Sequence, residues 1–139
     1  AAREAKLPAL ADDSGLEVDA LQGRPGVWSA RYAGADATDA ANNAKLLAEL
    51  AGVPADRRTA RYRCVIAFVR NADDPQPLIA HGAWEGRIGE ALQGTGGFGY
   101  DPLFWPQGQA VTAAQMAPAA KNAVSHRGLA LAELLRKLA

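Results

Sequence analysis

A single cysteine, Cys64, stands in 139 residues, inside the apolar run YRCVIAFV. One thiol excludes an intrachain disulfide framework and a cysteine-based zinc site, and it suits a reducing compartment, which points to the cytoplasm. Charge of either sign is not in surplus, since fifteen Lys and Arg balance fifteen Asp and Glu. No overall field therefore draws the chain to nucleic acid or an anionic membrane, and any anion must be held by a local constellation. No run approaches the roughly 20 apolar residues of a membrane span, and no signal segment opens the chain. Methionine occurs once, as Met116. AAREAK reads as the last turns of a helix closed before Leu7-Pro8, so a fragment of a longer parent protein is expected. The 49% apolar content is enough to bury a core, and residues 1–139 read as one domain.

Hydrophobic periodicity orders the rest. PALAD is a short strand candidate, DDSG a turn in which Gly15 takes φ > 0, and LEVDAL a half-buried strand with Glu17 and Asp19 on its exposed face. QGRPGVWSARYAG is a loop. A helix is predicted from Thr38 or Asp39 through ATDAANNAKLLAELAG, with a capping residue before it and Gly52 and Pro54 after it. RTARYRCVIAFVR is the strongest strand, with PQPLIAHGAWEGRI as its antiparallel partner. QGTGGFGYDPLFWPQGQ is a glycine- and aromatic-rich loop. SHRGLALAELLRKLA is a helix capped by Ser125, with Leu131, Leu134, Leu135 and Leu138 along one face. Strands mixed with helices indicate an α/β or α+β domain around a mixed sheet.

Several stretches admit both a bland and a functional reading. GTGGFG, residues 94–99, matches G-x-G-x-x-G, but Tyr100, Asp101 and Pro102 follow where a dinucleotide site needs a helix, so that site is rejected; no Gly-Lys-Ser/Thr follows for a P-loop either. The loop is then a structural turn, or a backbone lying close to a flat ligand with Phe98 free to stack. Asp12, Asp13 and Ser14 form an Asx turn, or a site. Glu17 and Asp19 nearby make a cluster that repels itself unless a cation is bound, and hard oxygen donors favour Mg²⁺. The spacing lacks the D-x-D of an aspartyl nucleophile, which casts a carboxylate here as metal ligand or general base. His126 and Arg127 are helix capping and surface charge, or, with Lys121, donors to an anion or polarised oxygen. His81 reads as structural, Trp28, Trp84 and Trp105 as core or interface, and Cys64 as core.

Three blocks in order, PALADDSGLEVDAL with GRPGVWSARYAG, then GTGGFGYDPLF, then KNAVSHRGLAL, resemble the inosine triphosphate pyrophosphatase family. The similarity covers essentially the whole chain. It implies an α/β fold with a long mixed sheet flanked by helices, an active-site cleft between two lobes, and homodimers. It also implies Mg²⁺-dependent hydrolysis of ITP, dITP and XTP to monophosphate and pyrophosphate, which cleanses the nucleotide pool. In that family the residue matching Asp13 is the general base and metal ligand, and that matching Ser14 contacts substrate. Phe98, Gly99, Tyr100 and Asp101 line the base pocket, with the Phe stacking, and Lys121, Ser125, His126 and Arg127 contact the purine and its 6-keto edge. Donors facing a 6-oxo group would meet another donor in adenine, so discrimination would be large. The family's N-terminal strand and Ser/Thr-x-Asn-x-x-Lys phosphate segment have no counterpart in these residues. That departure keeps an alternative open: a catalytically impaired purine-nucleotide-binding or dimerising fragment.

Overall fold

The computed structural model describes residues 9–71 and 73–138, and the helix expected at AAREAK lies outside them. A five-stranded sheet runs in the order β2-β1-β3-β4-β5, with β1 Ala9–Val18, β2 Pro25–Gly26, β3 Thr59–Val69, β4 Leu78–Ile88 and β5 Phe104–Pro106. All four pairings among the described residues are antiparallel, where the sequence reading expects a mixed sheet. The helices are α1 Asp39–Glu49, α2 Pro118–Val124 and α3 His126–Leu138.

The DDSG segment is not a turn. It continues β1, with Asp13 opposite Val65, Ser14 opposite Cys64 and Gly15 opposite Arg63. Local preferences of Asp, Ser and Gly for turns lose here to a ten-residue ladder against the strongly β-forming β3. Gly15 is needed for room rather than for φ, because a Cβ there would lie 2.4 Å from the Gly26 carbonyl oxygen of β2. The strand stops at Val18, and Asp19–Leu21 form a 3-10 turn.

One face of the sheet carries the core. Leu16, Val18, Ala60, Tyr62, Trp84 and Ile88 pack with Leu46 and Leu50 of α1 and with Tyr100, Leu103 and Phe104. Cys64, Ile66 and Ala80 pack with Ala130 and Leu134 of α3. The contact stripe of α3 is thus His126, Ala130 and Leu134, at i, i+4 and i+8. Gly82 sets it, since a Cβ there would lie 2.0 Å from the His126 carbonyl oxygen and 2.6 Å from the Ala130 nitrogen. This close approach turns Leu131, Leu135 and Leu138 outward, against the expectation that they share a buried face with Leu134. Trp84 is core as expected, whereas Trp28 is exposed, with the Arg31 guanidinium 5.3 Å above its ring.

The first helix forms as expected, with the Thr38 hydroxyl accepting from the Ala41 amide at 3.2 Å. Its C-terminal end is fastened by Arg58, a buried guanidinium that donates to the carbonyls of Leu50, Val53, Ile88 and Gly89. The α2 helix was not expected; Pro118 at its first turn and its alanines suit it to helix.

Candidate functional site

The glycine-rich loop, α2 and the start of α3 converge beside the sheet. Gly99 is anchored by α1: its amide donates to Asp39 Oδ2 at 2.9 Å, and its carbonyl accepts from Asn43 Nδ2 at 3.1 Å. Gly97 has φ +69, and a Cβ on it would lie 2.2 Å from Asp101 Oδ2, so both conformation and space demand glycine there. The loop is therefore drawn tightly around Asp101.

Asp101 is 2% exposed and accepts from the Tyr62 hydroxyl at 3.1 Å, the Phe98 amide at 3.1 Å and the Lys121 ammonium. A buried carboxylate with an ammonium and two neutral donors has its desolvation cost offset. Lys121, so held, lies 4.7 Å above the Phe98 ring. The Arg127 guanidinium lies 5.8 Å from the same ring. Phe98 is 59% exposed, an aromatic face presented to solvent between two cations.

His126 opens α3 and is 6% exposed. Its ring stacks on Tyr62 with centroids 4.7 Å apart and planes 13° apart. Burial pushes its pKa down to about 4, with Arg127 and Lys121 acting the same way against Asp101. The imidazole is neutral at pH 7, and its Nδ1 is buried without a hydrogen bond in the protein. Such an orphaned polar atom is costly unless a ligand or water meets it. Ser125, also buried, accepts from the Gly128 amide as the expected cap, 3.2 Å away. Phe98, Lys121, Ser125, His126 and Arg127 together line a cavity of about 460 Å³, with Leu131, Ala132 and Leu135 also in its lining. That volume is in the range of small-molecule sites.

Other sequence-predicted residues sit elsewhere. Gly99, Tyr100 and Asp101 do not line this cavity. Tyr100 is 3% exposed in the core, its hydroxyl donating to the Ser29 carbonyl at 2.6 Å. Burial holds its phenol above the usual range. Asp13 and Ser14 line a separate hollow of about 150 Å³ with Gly15, Glu17, Val27 and Arg63. Strand alternation puts Asp12 and Ser14 on the core face with Leu16, and Asp13 on the opposite face with Glu17. The Ser14 hydroxyl is buried without a partner in the protein.

The acidic cluster is neutralised by arginines rather than left to repel itself. Asp12 pairs with Arg127 at 3.2 Å, Glu17 with Arg63 at 2.8 Å, and Asp19 with Arg61 at 3.0 Å. The bond to Arg61 holds the Asp19 carboxyl below its ordinary value. Asp13 alone of the four takes part in no ion pair among the described residues. Those residues also contain no group of three or more His, Cys, Asp or Glu placed to hold a metal ion. Asp13 offers a single hard oxygen ligand, enough for a divalent cation whose other ligands are not protein side chains and too few for an all-protein cage.

Sequence reasoning missed Tyr62, Asp39 and Asn43, and it weighed Asp12 as part of a turn or a site without pairing it to Arg127. Tyr62 and Asn43 looked like ordinary strand and helix residues, and only tertiary contact gives them a role. Gly82 carried a usable signal, because an isolated glycine inside a strand marks close backbone approach.

Over residues 1–137 the chain matches the sequence profile of the Ham1 family. It is 60% identical over 138 residues to the dITP/XTP pyrophosphatase of Methylococcus capsulatus, covering 99% of this chain and 69% of that one. It is 55% identical over 138 residues to the dITP/XTP pyrophosphatase of Photobacterium profundum, covering 99% and 70%. Among solved structures it superimposes on a HAM1 protein from Coxiella burnetii with a TM-score of 0.92 at 50% identity, covering 99% of this chain and 70% of that one. The Ham1 protein of Staphylococcus aureus gives 0.90 at 39% identity, covering 98% and 69%.

Proposed function

The chain belongs to the Ham1 family, and we propose from that premise that it hydrolyses non-standard purine nucleoside triphosphates (ITP, dITP and XTP) to the monophosphate and pyrophosphate. The observation that carries this reading is the cavity in which two cations, Lys121 and Arg127, flank the exposed Phe98 ring beside buried, neutral His126. A purine stacks on Phe98, and the nitrogens of Lys121 and Arg127 donate to a 6-oxo group. Adenine would present an amino group to those donors and leave them unpaired, which disfavours ATP. The non-catalytic alternative is not favoured, because the relatives matched across the chain are named as pyrophosphatases.

Asp13 is the proposed general base and metal ligand. Its carboxylate takes a proton from the attacking water as the new P–O bond forms, and the bridging P–O bond between the α- and β-phosphates breaks with pyrophosphate leaving. Asp13 would hold Mg²⁺, which would supply neutralisation of the negative charge that develops on the phosphates. Ser14, whose hydroxyl is buried without a partner in the protein, is the proposed substrate contact, while Gly99, Tyr100 and Asp101 support the base pocket and Ser125 caps the helix presenting His126 and Arg127. The reading includes one domain over residues 1–139, working as a cytoplasmic homodimer; among the described residues no helix is long and apolar enough to cross a membrane.

The test is pyrophosphate release from ITP and ATP in parallel, with Mg²⁺ present or chelated. Mg²⁺-dependent release from ITP well above that from ATP is expected. Equal rates on both nucleotides, or release that survives chelation, would overturn the assignment.

A further inference from the structure

We infer that Asp12 is a positioning residue for the purine pocket, holding Arg127 against Phe98; the inference rests on the proposed function of that same pocket. Two cations beside one ring repel each other, and each is matched to a carboxylate from a different element. Lys121 is held by buried Asp101, itself fixed by Tyr62 and the Phe98 amide. Arg127 forms an ion pair with Asp12 of β1, whose Oδ2 lies 3.2 Å from Nε.

The atom used matters. The ion-pair contact lies on the Nε edge of the guanidinium, so among the described residues the two terminal nitrogens take part in no ion pair and are left for a ligand. Both partners are about half exposed, 52% for the Arg127 side chain and 42% for Asp12, so the pair adds little to folding stability. Its consequence is orientation. Because β1 alternates, the adjacent carboxylates divide the labour: Asp12 serves the base pocket on the helix-covered face, and Asp13 lies on the other face. The same ion pair ties the N-terminus of α3 to the strand that carries Asp13.

The experiment measures IMP affinity by calorimetry and ITP kinetics with Mg²⁺ for the full chain, for Asp12→Asn, Asp12→Glu and Arg127→Gln, and for the Asp12→Asn/Arg127→Gln double variant. Asp12→Asn is expected to raise the Kd for IMP and the KM for ITP about fivefold, the upper range for an exposed ion pair, with kcat and melting temperature held. Asp12→Glu recovers part of the loss. In the double variant, Asp12→Asn adds nothing to the effect of Arg127→Gln, as two groups acting through one contact require.

Additive losses in the double variant would overturn the inference, as would a fall in kcat at unchanged KM, which would move Asp12 to the phosphate chemistry. An unchanged Kd for Asp12→Asn would also overturn it. A parent chain that binds IMP but hydrolyses no ITP fails the functional reading alone, since the IMP cycle still decides the role of Asp12. A chain that takes up neither nucleotide overturns both.

Discussion

The ring of His126 lies parallel to that of Tyr62, centroids 4.7 Å apart, and the Tyr62 hydroxyl donates to Asp101 at 3.1 Å. One strand residue thus supports two members of the pocket at once, one neutral and one charged.

That environment has a pH consequence. His126 has its pKa lowered from 6.5 to about 4 in the fold, chiefly by burial, so between those values the unfolded chain binds a proton that the native chain does not. Stability therefore rises with pH across this window, is fully present above about 6.5 and is lost on acidification toward 4; the full effect is up to about 3 kcal/mol. Asp19, Asp74 and Glu133, all with lowered pKa values, add to acid instability mainly below the ordinary carboxylate range. Denaturant unfolding at pH 7.0 and about pH 5 separates the two. His126→Gln should flatten the slope between about pH 5 and 6.5; a slope unchanged by that substitution would remove His126 as its source.

Phe98 is exposed and contributes stacking surface rather than core. Phe98→Ala is expected to leave the unfolding free energy within about 0.5 kcal/mol of the parent, as surface substitutions usually do. Its KM for ITP should rise by about tenfold or more, the worth of one base stacked on an aromatic ring. Steady-state kinetics beside a thermal melt checks both halves.

Asp13→Asn keeps the shape and removes the base. The expected result is a fall in kcat of about 10²- to 10⁴-fold, with IMP affinity unchanged because the purine pocket lies apart from Asp13. Near-parental turnover in this variant would rule Asp13 out as the base.

Gly82 lets α3 sit on β4, with room for no side chain against the His126 carbonyl. Gly82→Ala should destabilise the fold by about 3 kcal/mol, at the upper end for overpacking, and should weaken IMP binding because His126 and Arg127 ride on the displaced helix. Calorimetric melting and IMP titration together test this; an unchanged melt would mean that the helix yields without loss.

Much of the chain was legible one residue at a time. The α1 helix with its Thr38 cap, the β3–β4 hairpin, the Ser125 cap of α3 and the burial of Cys64 and Trp84 follow from periodicity and local hydrogen-bonding chemistry, which depend on neighbours in sequence. The family blocks likewise pointed to the residues that gather around Phe98. Tertiary structure decided what local chemistry cannot. DDSG became strand because its backbone groups pair with β3, 48 or more residues away, and that ladder outweighs the preference of Asp, Ser and Gly to turn. Which leucines of α3 are buried was set by a glycine on another element, which brings Ala130 rather than Leu131 or Leu135 to the sheet. The division between Asp12, paired with Arg127, and Asp13, in no ion pair among the described residues and on the opposite face, exists only once the segment is extended, because alternation along a strand sends adjacent side chains to opposite sides.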